Sequence, residues 1–195
     1  MRRPRGVVRI VGGRWKRTPL SVVDIPGLRP TPDRIRETLF NWLTHLFGGS
    51  LAGCSALDLF AGTGALGLEA ASRGAEPVVL VERDRAALDA LRAIIGKLGA
   101  PQINIRSGDA LNIAKQYVET GGRFSIIFVD PPFGQGWLAK ALPLASNLCN
   151  SSGVVYAESE SPLDPSLVAR CGLELIRADK AGDVFYHLLR RNNNE

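Results

Sequence analysis

From Cys54 onward, short apolar runs alternate with stretches whose apolar residues recur at helical spacing. The runs at 56–60, 77–82, 102–107, 124–130, 153–158, 173–179 and 184–190 are rich in Val, Ile, Leu and Phe, which predicts strands. The intervening segments 65–73, 85–98, 110–118, 137–147 and 165–170 predict helices. Regular alternation with largely apolar strands implies a mostly parallel sheet covered on both faces, an α/β fold of Rossmann-like, doubly wound type. Only Lys180-Ala-Gly-Asp183 separates the last two strands, so they should form an antiparallel hairpin, giving seven strands with the last one reversed.

Upstream the pattern changes. Thr31-Pro32-Asp33 predicts a helix start, with Thr31 as cap and Pro32 in the first turn. Ile35, Leu39, Phe40, Trp42, Leu43 and Leu46 then form one apolar face, and Gly48-Gly49 ends the helix. Before it, residues 7–11 and 14–16 flank Gly12-Gly13 and predict a small β-hairpin. The chain therefore divides into a hairpin extension over 1–30 and a main domain over 31–195.

Charge reinforces that division. The 195 residues carry a net +5. Residues 1–36 hold ten Lys or Arg against Asp24 and Asp33, a net +8, and the remainder nets −3. A basic front end on a mildly acidic body suits a polyanion such as RNA, with Arg9, Arg14, Trp15, Lys16 and Arg17 as the expected contacts. Cys54, Cys149 and Cys171 lack metal-ligand or redox spacing, so no metal is expected. No apolar run is long enough to span a membrane, and the N-terminus lacks the apolar segment of a signal peptide. These features point to a cytoplasmic protein without a membrane partner.

The chemistry concentrates at predicted strand ends. Asp130-Pro131-Pro132-Phe133 follows the run at 124–129. The prolines end the strand and stiffen the turn, since neither can donate to the ladder. A carboxylate, fixed carbonyls and an aromatic ring at the carboxyl end of a strand suit a planar amine. The oxygens accept its N–H hydrogens and the ring stacks on its heterocycle.

A second motif joins the first strand of the sheet to its helix. Gly62, Gly64 and Gly67 in Leu57-Asp58-Leu59-Phe60-Ala61-Gly62-Thr63-Gly64-Ala65-Leu66-Gly67 have the spacing of a dinucleotide loop. Glu82, ending the next strand, suits ribose hydroxyls. Asp58, however, would repel a pyrophosphate and attract a cationic amino-acid end. Asp109 at a third strand end suits an adenine amine. Together they favour S-adenosylmethionine over NAD. Asp58, Glu82, Asp109 and Asp130 should line one crevice.

With these motifs aligned, the chain resembles the class I methyltransferases, and more narrowly the bacterial small-subunit (16S) ribosomal RNA guanine-N2 methyltransferase family. The likeness covers nearly the whole chain. It rests on residues 9–16 and 28–31, on 33–43, on the glycine loop, on Val129-Asp-Pro-Pro-Phe133, and on later pieces at 157–160 and 180–186. One departure is Pro32, where the family usually carries Thr or Ser.

The resemblance implies S-adenosylmethionine as cofactor and 16S rRNA as partner. So short an extension reads little sequence, so an assembled small subunit is the expected substrate, and a monomer is the default expectation. It implies cofactor contacts from Asp58, Ala61, Gly62, Gly64, Glu82 and Asp109, with Phe60, Thr63, Arg83 and Ala110 beside them. The helix from Asp33 is expected to close over the methionine end through Thr31 and Arg34. Asp130, Pro131, Pro132 and Phe133 would hold the target base. Other readings remain open: a DNA adenine or cytosine amino-methyltransferase, a nicotinamide-dependent oxidoreductase, and a catalytically silent RNA-binding factor.

Overall fold

The computed structural model describes residues 8–22 and 31–192. Two short strands come first, β1 (Val8–Arg9) and β2 (Pro19–Leu20), followed by helix α1 (Asp33–Leu46). The sheet region then runs β3 (Ala56–Asp58), α2 (Ala65–Ser72), β4 (Val78–Glu82), α3 (Arg85–Leu98), β5 (Ile103–Ser107), α4 (Ala110–Glu119) and β6 (Phe124–Val129). It ends with α5 (Trp137–Leu148), β7 (Cys149–Ser159), α6 (Pro165–Arg170), β8 (Leu173–Ala181) and β9 (Val184–Arg191).

The seven-stranded sheet has the order β5-β4-β3-β6-β7-β9-β8. Strands β3 to β7 pair in parallel, and β9 runs antiparallel between β7 and β8. The reversed final strand is as the sequence predicts. The chain builds outward from β3 through β4 to β5, then returns to place β6 on the other side of β3. That reversal opens a crevice at the carboxyl ends of β3 and β6, where sheets of this kind bind ligands.

Side-chain alternation explains why the strands read as continuous apolar runs. Ala56, Ile126, Phe128 and Tyr156 point to one face, against α1, α2, α3 and the hairpin. Leu57, Ile127, Val129 and Val155 point to the other, against α4, α5 and α6. Both faces are covered, so neither needs polar residues.

Three local expectations require correction. The stretch 14–16 is a turn rather than a strand. β1 pairs instead with β2, with Val8 opposite Leu20 and Arg9 opposite Pro19. Residue 7 lies outside the described residues, as do 23–30 of the expected extension. The strand predicted over 153–158 begins earlier, where Cys149 pairs with Phe124 ahead of a register shift. Thr31 does not cap α1. Pro32 occupies the cap position and no side chain caps the helix, because the Thr31 hydroxyl is engaged elsewhere.

The hairpin is docked on α2. Val11 donates its N–H to Glu69 Oε2 at 2.6 Å, Arg14 to the Ser72 carbonyl at 2.7 Å and Trp15 to Ser72 Oγ at 2.9 Å. Ser72 Oγ in turn donates to the Gly12 carbonyl at 2.7 Å. Gly13 has φ +72°, and a Cβ there would lie 2.1 Å from the Ser72 carbonyl oxygen, so only glycine permits this approach. Buried Glu69 also pairs with Arg73 at 2.7 Å, which compensates its charge.

Candidate active site

A cavity of about 770 Å3 opens at the carboxyl ends of β3, β4, β5, β6 and β7. Its floor is the turn between β3 and α2. Leu59 donates to the Phe128 carbonyl at 3.1 Å and Ala61 to that of Val81 at 3.0 Å, which extends the sheet pairing into the loop. Gly62 at φ +53° and Gly64 at φ +78° then turn the chain into α2. Phe60, Ala61, Gly62 and Thr63 line the cavity.

Gly64 does not line it. A Cβ there would meet Leu91 Cδ2 at 2.6 Å, and one on Gly67 would meet Leu80 Cδ2 at 2.1 Å. Both glycines therefore serve packing of α2 against α3 and β4.

The acids converge as expected. Asp58, Glu82, Asp109 and Asp130 follow or end four adjacent strands and all line the cavity. Glu82 accepts N–H bonds from Gly62 at 2.8 Å, Arg83 at 2.7 Å and Asp84 at 2.8 Å. A carboxylate offers about four lone-pair sites, so one is left for a ligand. Asp109 also caps α4, accepting from the Asn112 N–H at 3.1 Å. Arg83 and Ala110 lie on the wall beside them.

Asp58 is 1% exposed. Its Oδ2 accepts from the Gly67 N–H at 3.0 Å and the Phe60 N–H faces the same carboxylate, while Oδ1 is buried with no fully formed hydrogen bond among the described residues. Burial pushes its carboxyl up to about 7. A buried acceptor left without a donor is costly, and an ammonium group reaching it would remove that cost.

Asp130-Pro131-Pro132-Phe133 forms the opposite wall. Phe133 is half-buried and packs against the core, which fixes its ring. Thr31, from the segment before α1, crosses to this wall. Its hydroxyl lies 3.1 Å from Asp130 Oδ2 and 2.9 Å from Glu158 Oε1. Burial and the neighbouring Glu158 push the Asp130 carboxyl well above its usual range, and burial also raises Glu158.

Glu158 was not among the residues the sequence singled out, nor were Trp137 and Val184, which also line the cavity. Pairing of Val129 with Ala157 puts the residues that follow, Asp130 and Glu158, side by side. The signal for Glu158 was there: an acid at the end of a fifth apolar run. Trp137 sits edge-on to Phe60 in the cavity lining, with ring centroids 5.8 Å apart.

Two further expectations are corrected. Arg34 is exposed and off the cavity; it faces Asp179 and Tyr186 of the β8–β9 hairpin. Trp15 is 8% exposed and belongs to the core, so it anchors the hairpin rather than offering a ring to RNA. Arg14, Lys16 and Arg17 are exposed on the same turn. Arg9 is exposed too, but it pairs with Asp33 at 3.0 Å.

Among the described residues, six carboxylates line the cavity (Asp58, Glu82, Asp84, Asp109, Asp130 and Glu158) and Arg83 is the one lining Lys or Arg. Such a site attracts a cation and repels a pyrophosphate, which weighs against a dinucleotide. The partnerless Asp58 Oδ1 fits the ammonium end of S-adenosylmethionine, and Glu82 and Asp109 fit its hydroxyls and amine. Sheet order, glycine turn and acid row together define a class I S-adenosylmethionine-dependent methyltransferase.

Comparison with known proteins narrows the class. Residues 8–190 match the family described as Conserved hypothetical protein 95. Ribosomal RNA small subunit methyltransferase D of Escherichia coli K12 is 40% identical over 193 residues, covering 95% of this chain and 91% of the relative. The protein of the same name from Haemophilus influenzae is 34% identical over 188 residues, covering 94% of each. The solved structure of Escherichia coli yhhF superposes with a TM-score of 0.80 at 36% identity, covering 96% of this chain and all of that one. The chain belongs to the Conserved hypothetical protein 95 family.

Proposed function

We propose that this protein transfers a methyl group from S-adenosylmethionine to the exocyclic N2 amine of a guanine in small-subunit ribosomal RNA. The observation that carries the methyl-transfer reading is the Asp130-Pro-Pro-Phe wall facing a row of acids in one cavity. The rRNA substrate follows the names borne by the 40% and 34% identical relatives. Guanine N2 rests on the resemblance of the N-terminal segments and tetrapeptide to that enzyme family.

When bound, the cofactor supplies an electrophilic methyl on a positively charged sulfur. Asp58, Glu82 and Asp109 hold it and set its direction. The lone pair of a guanine amine is delocalised into the ring, so the amine is a weak nucleophile. Asp130 and the Pro131 carbonyl accept its two N–H hydrogens, which favours a pyramidal nitrogen and stabilises the charge that develops there. Phe133 stacks on the base, as aromatic rings do on unpaired nucleobases. Positioning supplies much of the remaining rate. His187 is buried and bonded to the Ala157 carbonyl at 3.3 Å, and neither it nor His45 lines the cavity.

Arg14, Lys16 and Arg17 supply phosphate contacts. A turn this short reads little sequence, so an assembled ribosomal particle in the cytoplasm, met by a monomer, is the proposed substrate. The test is incubation of the protein with labelled S-adenosylmethionine and small subunits from a strain lacking the enzyme, followed by mass mapping of the label. A label on guanine N2 is expected; a label on another base, or in DNA alone, overturns the substrate assignment.

A further inference from the structure

The proposed mechanism does not use Glu158, Tyr156 or the Thr31 hydroxyl, yet all three are buried behind the catalytic wall. Glu158 Oε1 accepts from the Tyr156 hydroxyl at 2.7 Å and lies 2.9 Å from Thr31 Oγ1, which is also 3.1 Å from Asp130 Oδ2. The Thr31 hydroxyl carries one hydrogen and cannot donate to both carboxylates. Its second contact is a hydrogen bond only if the other carboxyl brings the proton.

The partners decide which one does. Glu158 Oε1 has the Tyr156 donor and can take the Thr31 hydrogen as well, and Arg36 stands near it. Asp130 faces Thr31, Glu158 and Asp58, with no cation among those neighbours. Tyr186 of β9 pairs opposite Glu158 in register and lies near Tyr156. The consistent chain is Asp130 O–H to Thr31 Oγ1, Thr31 O–H to Glu158 Oε1, and Tyr156 O–H to the same oxygen.

We infer that Asp130 and Glu158 share one proton through Thr31, and that Glu158 is a positioning residue keeping Asp130 protonated until a cation enters the crevice. The inference rests on the methyl-transfer reading for its consequence. A protonated Asp130 has lost acceptor strength for an amine. The positive sulfur of the cofactor favours the ionised form, so the proton leaves to solvent and Asp130 becomes a bare acceptor only when a methyl donor is present. On transfer, the nitrogen lone pair forms the N–C bond and the C–S bonding pair returns to sulfur. The nitrogen then gives one proton to Asp130, which restores the shared-proton state as the sulfur becomes neutral.

Two measurements test this in the intact protein. The first is the titration of the Asp130 carboxyl carbon by NMR without ligand. In the wild type it should titrate well above an ordinary carboxyl. Glu158→Gln, which removes the neighbouring charge, should move it back toward the ordinary range. Tyr156→Phe, which removes a donor from Glu158, should shift the proton toward Glu158 and lower the Asp130 titration. Where Glu158→Gln does not fold, Tyr156→Phe decides alone.

The second is calorimetry near pH 7 in buffers of different ionisation enthalpy. S-adenosylmethionine should release more protons on binding than S-adenosylhomocysteine, which shares its ammonium end but lacks the sulfur charge, and Glu158→Gln should remove the difference. Equal proton release by the two ligands, or an Asp130 titration indifferent to Glu158 and Tyr156, overturns the inference. A raised, Glu158-dependent titration in a protein that binds neither ligand would leave the proton pair standing and remove the methyl-transfer reading instead.

Discussion

Asp58 and Gly67 are joined by a 3.0 Å hydrogen bond from the Gly67 N–H to Asp58 Oδ2, which ties the end of β3 to the first turns of α2. The bond fixes the carboxylate so that its other oxygen is buried without a donor. The carboxyl is pushed up to about 7, chiefly by burial. In the unfolded chain it ionises near pH 4. Between those values the native state binds a proton that the unfolded state has lost, so stability is full at low pH and falls as pH rises toward 7. The penalty above that window is on the order of 4 kcal/mol at most. Asp58→Asn should flatten this slope in urea denaturation between pH 4 and 8 while weakening S-adenosylmethionine binding. Asp130 and Glu158, raised in the same direction, should leave a residual slope of the same sign.

Asp130→Ala removes an acceptor made for the transition state. Turnover on small subunits should fall by about two to three orders of magnitude. Affinity for S-adenosylhomocysteine, which lacks the sulfur charge, should change little by calorimetry, because Asp58, Glu82 and Asp109 remain on their strand ends. Wild-type turnover in this variant would remove the amine clamp.

Replacing Arg14, Lys16 and Arg17 together with alanine should leave the melting temperature near wild type, since all three are exposed. Affinity for small-subunit RNA should drop, and the dependence of log K on log salt should flatten by up to about 3. An unchanged slope would take this turn out of the interface.

Trp15→Ala should behave in the opposite way. The ring is 8% exposed within the core, so its loss should cost about 3 kcal/mol of stability, with the salt slope of RNA binding kept. Chemical denaturation beside salt-titrated binding separates the two effects.

Gly13→Ala combines a left-handed backbone with a Cβ placed 2.1 Å from the Ser72 carbonyl oxygen. It should cost more than about 1 kcal/mol. Amide exchange should rise at Val11, Arg14 and Trp15, whose N–H groups bond Glu69 and Ser72.

The central sheet was legible because its residues obey one local rule: strands buried on both faces are apolar through their middle, as 78–81 and 126–129 are. Asp58, Glu82 and Asp130 were legible because each ends or closely follows such a run, and Asp109 because it follows the alternating Ile103-Asn-Ile105 of the edge strand. Glu158 shared that signature, but it sits in Ala157-Glu-Ser-Glu160 without glycines or prolines beside it, and only the pairing of β6 with β7 makes it a neighbour of Asp130. Thr31 read as a cap because Thr before a helix ordinarily caps it; here two carboxyls 99 and 127 residues away compete for its hydroxyl and win. Trp15 misled for a related reason. An aromatic among arginines looks like a stacking platform, and nothing local says that the turn lies down on α2. Gly64 fits a cofactor fingerprint, yet the atoms that require it to be glycine belong to Leu91 and Leu68.

The eight residues of α2 have a separate job at each end. Ala65 and Leu66 close the floor of the cavity, while Glu69 and Ser72 grip the hairpin. The two ends are about 12 Å apart along a single stiff rod. Under the proposed function, a particle held by the arginine-bearing turn would pull on the same beam that lines the donor cavity, with no loop between them. If the proposed contacts hold, a load taken up at the turn and a load taken up in the cavity would meet in one short helix.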